Sequence, residues 1–270
     1  MSISSRLITC MFCGDVDVPR SKEDVIPHWL AEKMAYYTRQ ALGDQNAKPK
    51  FVNFTYDSPE LMVADQKANQ IGENARGKKT IGEKPVAYKL PNVCKKCNGG
   101  WMERLESAAR RLIPGLIEGE TKSLDPYDQL VLSMWAMKTC VGYDAVQEES
   151  FVPSVMGSRL LYKSGYPLLH SLVYIGNFPN VTLDGEILHG RDTRHLHDNP
   201  DCPALSVGLR FGRFEVFTIF NLPTAEAVAS GRPIELLTGP TDDRNRRRIW
   251  PPCGERIQWP SDVAKEMSKP

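Results

Sequence analysis

Apolar residues recur at helical spacing in three stretches of this chain. The first begins at Pro27, whose ring suits the first turn of a helix, and continues to residue 34. The second spans residues 101–113 and is expected to end near Pro114. The third spans residues 126–141 and follows Asp125, a residue type that commonly caps a helix. The pattern therefore predicts three amphipathic helices.

Beyond residue 142, β-branched and aromatic residues alternate with polar ones, which is typical of strands. Turn formers such as Gly176, Asn177 and Gly212 separate the runs, so we expect a meander of antiparallel strands. Residues 41–90 have loop composition, with room for two short strands at 51–56 and 86–90. The later strands are expected at 171–176, 182–189, 204–211, 215–222 and 233–237. Helices followed by an antiparallel sheet predict an α+β fold.

Two closely spaced cysteine pairs lie far apart in the sequence. One is Cys10-x-x-Cys13 and the other is Cys94-x-x-Cys97. Two such pairs of thiolates bind tetrahedral zinc whatever the length of chain between them, because the pairs need only meet in space. The alternative is that these thiols are ordinary buried apolar groups. We predict a closed, structural zinc site that connects the chain to itself across residues 13–94.

The composition is that of a soluble globular chain with a sizeable core. Of its 270 residues, 41% are hydrophobic and 25% are charged, and the net charge is +1. A general attraction to polyanions is therefore excluded, and any such site must be a local patch. No apolar run is long enough for a membrane span and no signal-peptide pattern is present, so we expect a reducing, cytoplasmic location. In that setting the seven cysteines are interpreted as four metal ligands and three spare thiols, Cys140, Cys202 and Cys253.

Glu23 and Asp24 stand at the end of an extended segment, directly before the first predicted helix. Carboxylates in this position can converge on a cation such as magnesium or manganese. They can equally be acidic residues that interact favourably with the positive end of the helix dipole. Both interpretations stay open on the pattern alone.

The order of these motifs resembles one branch of a known enzyme family. Cys10-x-x-Cys13 is followed by Ser-Lys-Glu-Asp-Val-Ile-Pro-His-Trp-Leu and then by Cys94-x-x-Cys97-Asn-Gly-Gly-Trp-Met. These three anchors together are similar to the zinc-knuckle branch of the HNH (His-Asn-His) endonucleases, over roughly the first 115 residues and more loosely through residues 135–139, a helix that tends to follow in the same branch. The resemblance implies a ββα module at residues 1–115 with a long inserted loop. A helical connector and an antiparallel β-sheet domain would then occupy residues 116–270.

The resemblance also implies a reaction. In such a site one divalent ion, Mg²⁺ or Mn²⁺, stabilises the leaving oxygen of a DNA phosphodiester while a histidine takes a proton from water. Glu23 and Asp24 would lie at the ion, and Asn98 would orient the loop or a phosphate. Asp24 holds the position of the histidine base, and Gly99 replaces an asparagine of the family pattern. An aspartate is a poor base at neutral pH but a good ligand, and losing a histidine base commonly costs about 10² to 10⁴ in rate.

His28 follows Asp24 by one helical turn and is the only histidine before residue 170. It either substitutes for the missing base or faces solvent at the start of the helix. Four lysines that flank the presumed site can contact phosphates, namely Lys78, Lys79, Lys95 and Lys96. The stretch around His195 and His197, with Asp192 and Asp198, is expected to be a polar turn rather than a metal site. The arginine-rich run 244–248 is expected to be a solvated face rather than a phosphate site.

Two functions from different classes follow. The first is a metal-dependent nuclease that cleaves DNA, with Glu23, Asp24, His28 and Asn98 as its catalytic residues. The second is a catalytically degenerate module that binds nucleic acid or protein, or that serves another metal-assisted reaction. The replacements at Asp24 and Gly99 favour the second function, whereas the retained frame around Glu23 and Asn98 favours the first. No membrane partner is expected.

Overall fold

The computed structural model describes residues 7–47, 51–56, 73, 75–82, 89–147, 154–168, 171–192, 204–221, 242–243, 246–251 and 256–259. Within these ranges the chain mixes helices with several sheets, so the predicted α+β class is confirmed. None of the helices in the described ranges combines the length and the apolar character that crossing a bilayer requires.

Five helices are defined by the described residues. Helix α1 (His28–Leu42) begins directly after Pro27, one residue later than predicted, and ends at Gly43, whose φ of 65° suits glycine. Helix α2 has three consecutive segments. The first (Lys95–Cys97) and the third (Glu103–Ala109) are α-helical, and the second (Asn98–Met102) is a π-helical turn. The remaining helices are α3 (Ile113–Glu118), α4 (Pro126–Asp144) and α5 (Ser154–Ser164).

Pro114 does not end the second predicted helix. Helix α2 ends earlier, at Ala109, and Pro114 lies in the first turn of α3. A proline is tolerated there because the first backbone N–H groups of a helix have no intrahelical acceptor.

Helix α4 begins where the sequence predicts, because Asp125 caps it. The Asp125 side chain accepts a hydrogen bond of 2.9 Å from the Asp128 backbone N–H, and the Asp128 side chain accepts one from the Asp125 backbone. The helix is not amphipathic, however, since every residue from 131 to 144 is buried. It is enclosed by α2, α5 and strands of the main sheet, and it is therefore the central helix of the fold.

The described strands form three sheets. Two of these are antiparallel pairs, β1 (Leu7–Ile8) with β2 (Val18–Pro19) and β5 (Lys122–Leu124) with β10 (Ile257–Trp259). The third has six strands, which are β3 (Phe51–Tyr56), β4 (Gly77–Gly82), β6 (Ser171–Asp192), β7 (Ala204–Asn221), β8 (Asp242–Asp243) and β9 (Arg246–Trp250). Its path of paired strands is β4-β3-β6-β9-β8. Strand β6 pairs with β3 through residues 185–190 and with β9 through residues 173–176. Strand β7 pairs with both of these parts of β6.

The main sheet is not the predicted meander of short antiparallel strands. Strands β6 and β7 continue through Gly176, Asn177 and Gly212 instead of turning there. The register of the pairing between β6 and β7 shifts between Asn177 and Glu186, which keeps both strands continuous. Gly212 bends β7 at a φ of 59°. A side chain there would meet the backbone oxygen of Ile117 at 2.8 Å, so this glycine permits the close approach of α3.

Strand β3 pairs in parallel with β6, from Phe51 opposite Gly185 to Tyr56 opposite Gly190. The sheet thus joins strands from both sides of the predicted boundary at residue 115, and one hydrophobic core includes both Cys10 and Phe220. The two-domain division remains a prediction. The predicted strand 233–237 lies outside the described residues, as does most of the strand predicted at 86–90.

Candidate metal centre and the adjoining cleft

The two cysteine pairs meet in space. The Sγ atoms of Cys10 and Cys97 lie 3.8 Å apart, as do those of Cys13 and Cys94. All four sulfur atoms lie within 4.8 Å of one another, so the cluster can hold a metal ion. Tetrahedral zinc with bonds of about 2.3 Å requires sulfur atoms about 3.8 Å apart. The four thiols are therefore compatible with zinc in both chemistry and spacing.

The backbone around the cluster is shaped for this purpose. Gly14 follows the first pair with a φ of 81°, and its N–H donates to the carbonyl of Cys10 at 3.0 Å. The N–H of Cys94 points at the Cys10 sulfur at 3.5 Å, and the N–H of Cys97 points at the Cys94 sulfur at 3.4 Å. Such N–H groups stabilise negative charge on sulfur, as thiolate ligands require.

The thiols influence one another's protonation. The hydrogen bond with Cys97 lowers the pKa of Cys10 to about 4 and raises the pKa of Cys97. Burial raises the pKa of Cys13 to about 11. A bound metal ion would replace the protons of the thiols that ligate it.

Residues 20–24 and 89–94 pair as two antiparallel extended segments, which we call the ribbon. Arg20 lies opposite Cys94, and Asp24 lies opposite Lys89. The Ser21 N–H donates to the carbonyl of Val93 at 2.7 Å, and the Leu90 N–H donates to that of Glu23 at 2.9 Å. The second segment of the ribbon ends at Cys94, and α2 begins at the next residue, Lys95.

Asn98 lies at the start of the central segment of α2 and is tied to the ribbon. Its side-chain NH₂ donates to the hydroxyl oxygen of Ser21. Ser21 and Glu23 are two residues apart on an extended segment, so their side chains project to the same side. Asn98 and Glu23 are therefore placed on one side of the ribbon.

Glu23 contacts a lysine that is fully buried. Nζ of Lys138, on α4, lies 3.5 Å from Oε1 of Glu23 and 2.5 Å from Oε1 of Glu106, on α2. Burial raises the pKa of Glu23 to about 7; the positive charge of Lys138 opposes this shift, and the negative charges of Glu106 and Asp24 add to it.

Asp24 and His28 have other partners. The Asp24 carboxylate forms an ion pair with Lys89, its neighbour across the ribbon. His28 is exposed, and its Nδ1 lies 3.3 Å from the carboxylate of Glu32 one turn along α1. Among the described residues that line the cleft beside Asn98, none of Glu23, Asp24 and His28 appears.

This cleft has a volume of about 330 Å³ and runs along α2 from Asn98 to Arg110, the residue after its last turn. Polar groups dominate its wall, which is formed by Asn98, Gly99, Glu103, Glu106, Ser107 and Arg110. Because Glu106 contacts both the cleft and Lys138, it connects the buried ion pairs to solvent.

The other predicted candidates lie elsewhere. Lys95 and Lys96 are exposed at the start of α2, and Lys96 pairs with Asp15 at 3.4 Å. Arg246 is buried and bonds Glu215 at 2.9 Å, so this member of the arginine run lies on neither a solvated face nor a phosphate site. His195, His197 and Asp198, the spare cysteines Cys202 and Cys253, and the side chains of Lys79 and Asp192 lie outside the described residues.

The prediction from sequence assigned no role to Lys138 or Glu106. One signal was present, because Lys138 is the only charged residue between Asp128 and Asp144 in an otherwise uncharged stretch. A lone lysine inside a buried helix requires a carboxylate partner.

Comparison of the chain with protein-family models, with curated proteins and with solved structures finds no match. The HNH resemblance therefore rests on the sequence motifs alone.

Proposed function

We propose that the chain is an HNH-type nuclease of weakened activity, which binds structural zinc at its four clustered cysteines and hydrolyses DNA phosphodiester bonds beside Glu23 and Asn98. The observation that carries the proposal is the hydrogen bond between Asn98 and Ser21. It brings together the two motifs that the resemblance assigns to the active site. The ribbon followed by α2 also has the order of a ββα module.

The donor groups at this position suit a divalent ion in kind. The carboxylates of Glu23 and Glu106 and the amide oxygen of Asn98 are hard oxygen donors, which Mg²⁺ and Mn²⁺ prefer. A bound ion would supply positive charge to stabilise the leaving oxygen. Of the chain's own groups, Asn98 would orient a phosphate, and Arg110, on the wall of the cleft, would attract it.

The weak activity follows from the residue at the family's base position. That position holds Asp24, a carboxylate paired with Lys89, and His28 is paired with Glu32 on the exposed face of α1. Water therefore lacks the imidazole base that the family uses, and Asp24→His would supply one. We expect a rate lower by about 10² to 10⁴ than an enzyme with that histidine.

Plasmid cleavage tests the proposal. Zinc-loaded wild type is incubated with supercoiled DNA and Mg²⁺, Mn²⁺ or no added ion, beside Glu23→Gln, Asn98→Ala and Asp24→His. We expect slow nicking by wild type, loss of nicking in the first two variants and faster cleavage by Asp24→His. Glu32→Gln, the same chemical change on an exposed carboxylate, is the matched control and should cut like wild type. If neither wild type nor Asp24→His cleaves the plasmid with any of the ions, the proposal is overturned.

A second candidate function is a binding scaffold that no longer cleaves. Both acidic residues of the motif are already paired with lysines, Glu23 with Lys138 and Asp24 with Lys89. The outer side of the ribbon also exposes Arg20 and Lys22. If the chain cuts no DNA but shifts its electrophoretic mobility with strong salt dependence, the scaffold function is favoured.

A further inference from the structure

Lys138 is a buried cation in the centre of the fold. Its side chain is 0% exposed, although a buried ammonium group is unfavourable unless acceptors surround it. The acceptors come from two other parts of the chain, Glu23 on the ribbon and Glu106 on α2. The ammonium group is thus held between two carboxylates that would otherwise repel each other.

This arrangement is the one that two carboxylates adopt around a shared cation. Glu23 is one of the two carboxylates, with Asp24, that the family resemblance assigns to the divalent ion, and Glu106 lines the adjoining cleft. A divalent ion and the Lys138 ammonium group cannot both lie between these carboxylates, because the two cations would repel each other at close range. One must displace the other.

We infer that Lys138 is a tethered cation that occupies the divalent-ion position at Glu23 and Glu106 and keeps the affinity of this site for Mg²⁺ or Mn²⁺ low. The inference rests on the proposed function in taking Glu23 as a ligand of the catalytic ion. It assigns Lys138 a positioning role, because the residue acts on the ion through the two carboxylates.

Mn²⁺ binding without nucleic acid tests the inference. Free Mn²⁺ is followed by electron paramagnetic resonance during titration of zinc-loaded wild type, Lys138→Met and Lys138→Arg. Methionine retains an aliphatic stem and removes the charge, so Lys138→Met should bind Mn²⁺ about tenfold more tightly or better. Lys138→Arg keeps the charge and should bind like wild type. Adding Glu23→Gln to Lys138→Met should abolish the gain.

Unchanged or weaker Mn²⁺ binding by folded Lys138→Met would overturn the inference. Zinc content and the thermal transition verify folding, and soft thiolates do not select Mn²⁺ over zinc. If Lys138→Met does not fold, Mn²⁺ binding is compared between Glu106→Gln and the double variant Lys138→Gln/Glu106→Gln. Relative to wild type the double variant loses one positive and one negative charge, so no buried charge is left in excess; relative to Glu106→Gln it loses only the lysine charge. The double variant should then bind Mn²⁺ more tightly, and equal affinities would overturn the inference.

The two proposals fail separately in these experiments. If Lys138→Met gains Mn²⁺ affinity while no variant cuts plasmid DNA, the tethered cation stands and the nuclease function falls. If wild type cuts DNA and Lys138→Met gains no affinity, the nuclease function stands and the tethered cation falls.

Discussion

The ammonium nitrogen of Lys138 lies 3.5 Å from Oε1 of Glu23, although 115 positions separate the two residues in the sequence. Lys138 belongs to α4, beyond the stretch that resembles the zinc-knuckle endonucleases most closely. The candidate site is therefore completed by a helix from outside that stretch. Since α4 is buried along most of its length, the environment of Glu23 depends on the packing of the whole core.

The stability of the protein should depend on pH through Glu23. Burial raises its pKa to about 7 from an ordinary value of 4.5. Between these two values the folded chain holds a proton that the unfolded chain releases. The contribution to stability is therefore complete below pH 4.5 and is lost as the pH rises through the folded pKa.

Urea unfolding of wild type and Glu23→Gln across this window measures the effect. The free energy of unfolding of wild type should fall relative to Glu23→Gln as the pH rises, by up to about 1.4 kcal/mol per pH unit. Loss of zinc at low pH affects both proteins and cancels in the difference. Glu32→Gln, on the exposed face of α1, should run parallel to wild type. Parallel curves for wild type and Glu23→Gln would show that the Glu23 pKa is not raised.

Cys94→Ser should remove the metal ion and unfold the first part of the chain. The wild type is expected to carry one zinc per chain, and structural zinc contributes about 10–16 kcal/mol of binding free energy in small domains. Metal analysis and the thermal transition are the two measurements. Cys140→Ser is the matched control, because Cys140 is a buried thiol outside the cluster, and it should keep its zinc. A Cys94→Ser protein with full zinc content would contradict the four-thiol site.

Neutralising Asp24 should have little effect on stability. The Lys89 side chain is 41% exposed and that of Asp24 is 18% exposed, so their ion pair contributes about 1 kcal/mol or less. Urea unfolding of Asp24→Asn and Lys89→Met measures this contribution. A loss of several kcal/mol in either variant would show that the pair supports the ribbon, and cleavage results for Asp24 variants would then need correction for unfolding.

Gly142 should be necessary for the docking of α4 against the ribbon. A Cβ atom at this position would lie 2.7 Å from Cδ2 of Leu90, a ribbon residue that is buried. The clash should cost about 1–3 kcal/mol, and alanine gains about 1 kcal/mol of helix propensity over glycine. Gly142→Ala should therefore lower the free energy of unfolding by the difference, up to about 2 kcal/mol. The same substitution should cost less in a Leu90→Ala background, where the clash is removed. Equal costs in the two backgrounds would contradict the close approach.

The sequence was most informative where one residue type has a strict local role. Pro27 and Asp125 indicate the starts of α1 and α4 to within one residue, because a proline and a side-chain cap each act within a few residues. Pro27 lies directly before α1 rather than in its first turn as predicted. The spacing of the two cysteine pairs predicted a cluster for a similar reason, since few arrangements satisfy a tetrahedral metal ion.

Long-range partners were the part that local patterns could not predict. The parallel pairing of β3 with β6 depends on tertiary contacts that no turn signal encodes. The same holds for Lys138, because its carboxylate partners come from segments distant in sequence. Gly176 and Gly212 do not form the predicted turns, because a glycine permits a bulge in a long strand as readily as a reversal of the chain.

The parallel pairing of β3 bears on how the chain can be divided experimentally. A fragment that stops at residue 115 would contain both cysteine pairs and β3 but would lack β6, the neighbour on one side of β3. The backbone N–H and C=O groups of β3 that face β6 in the whole protein would then have no partners. Such an unpaired strand edge is the usual template for strand addition between molecules. Such a fragment should therefore aggregate even when it is saturated with zinc, and binding or cleavage studies require the intact polypeptide.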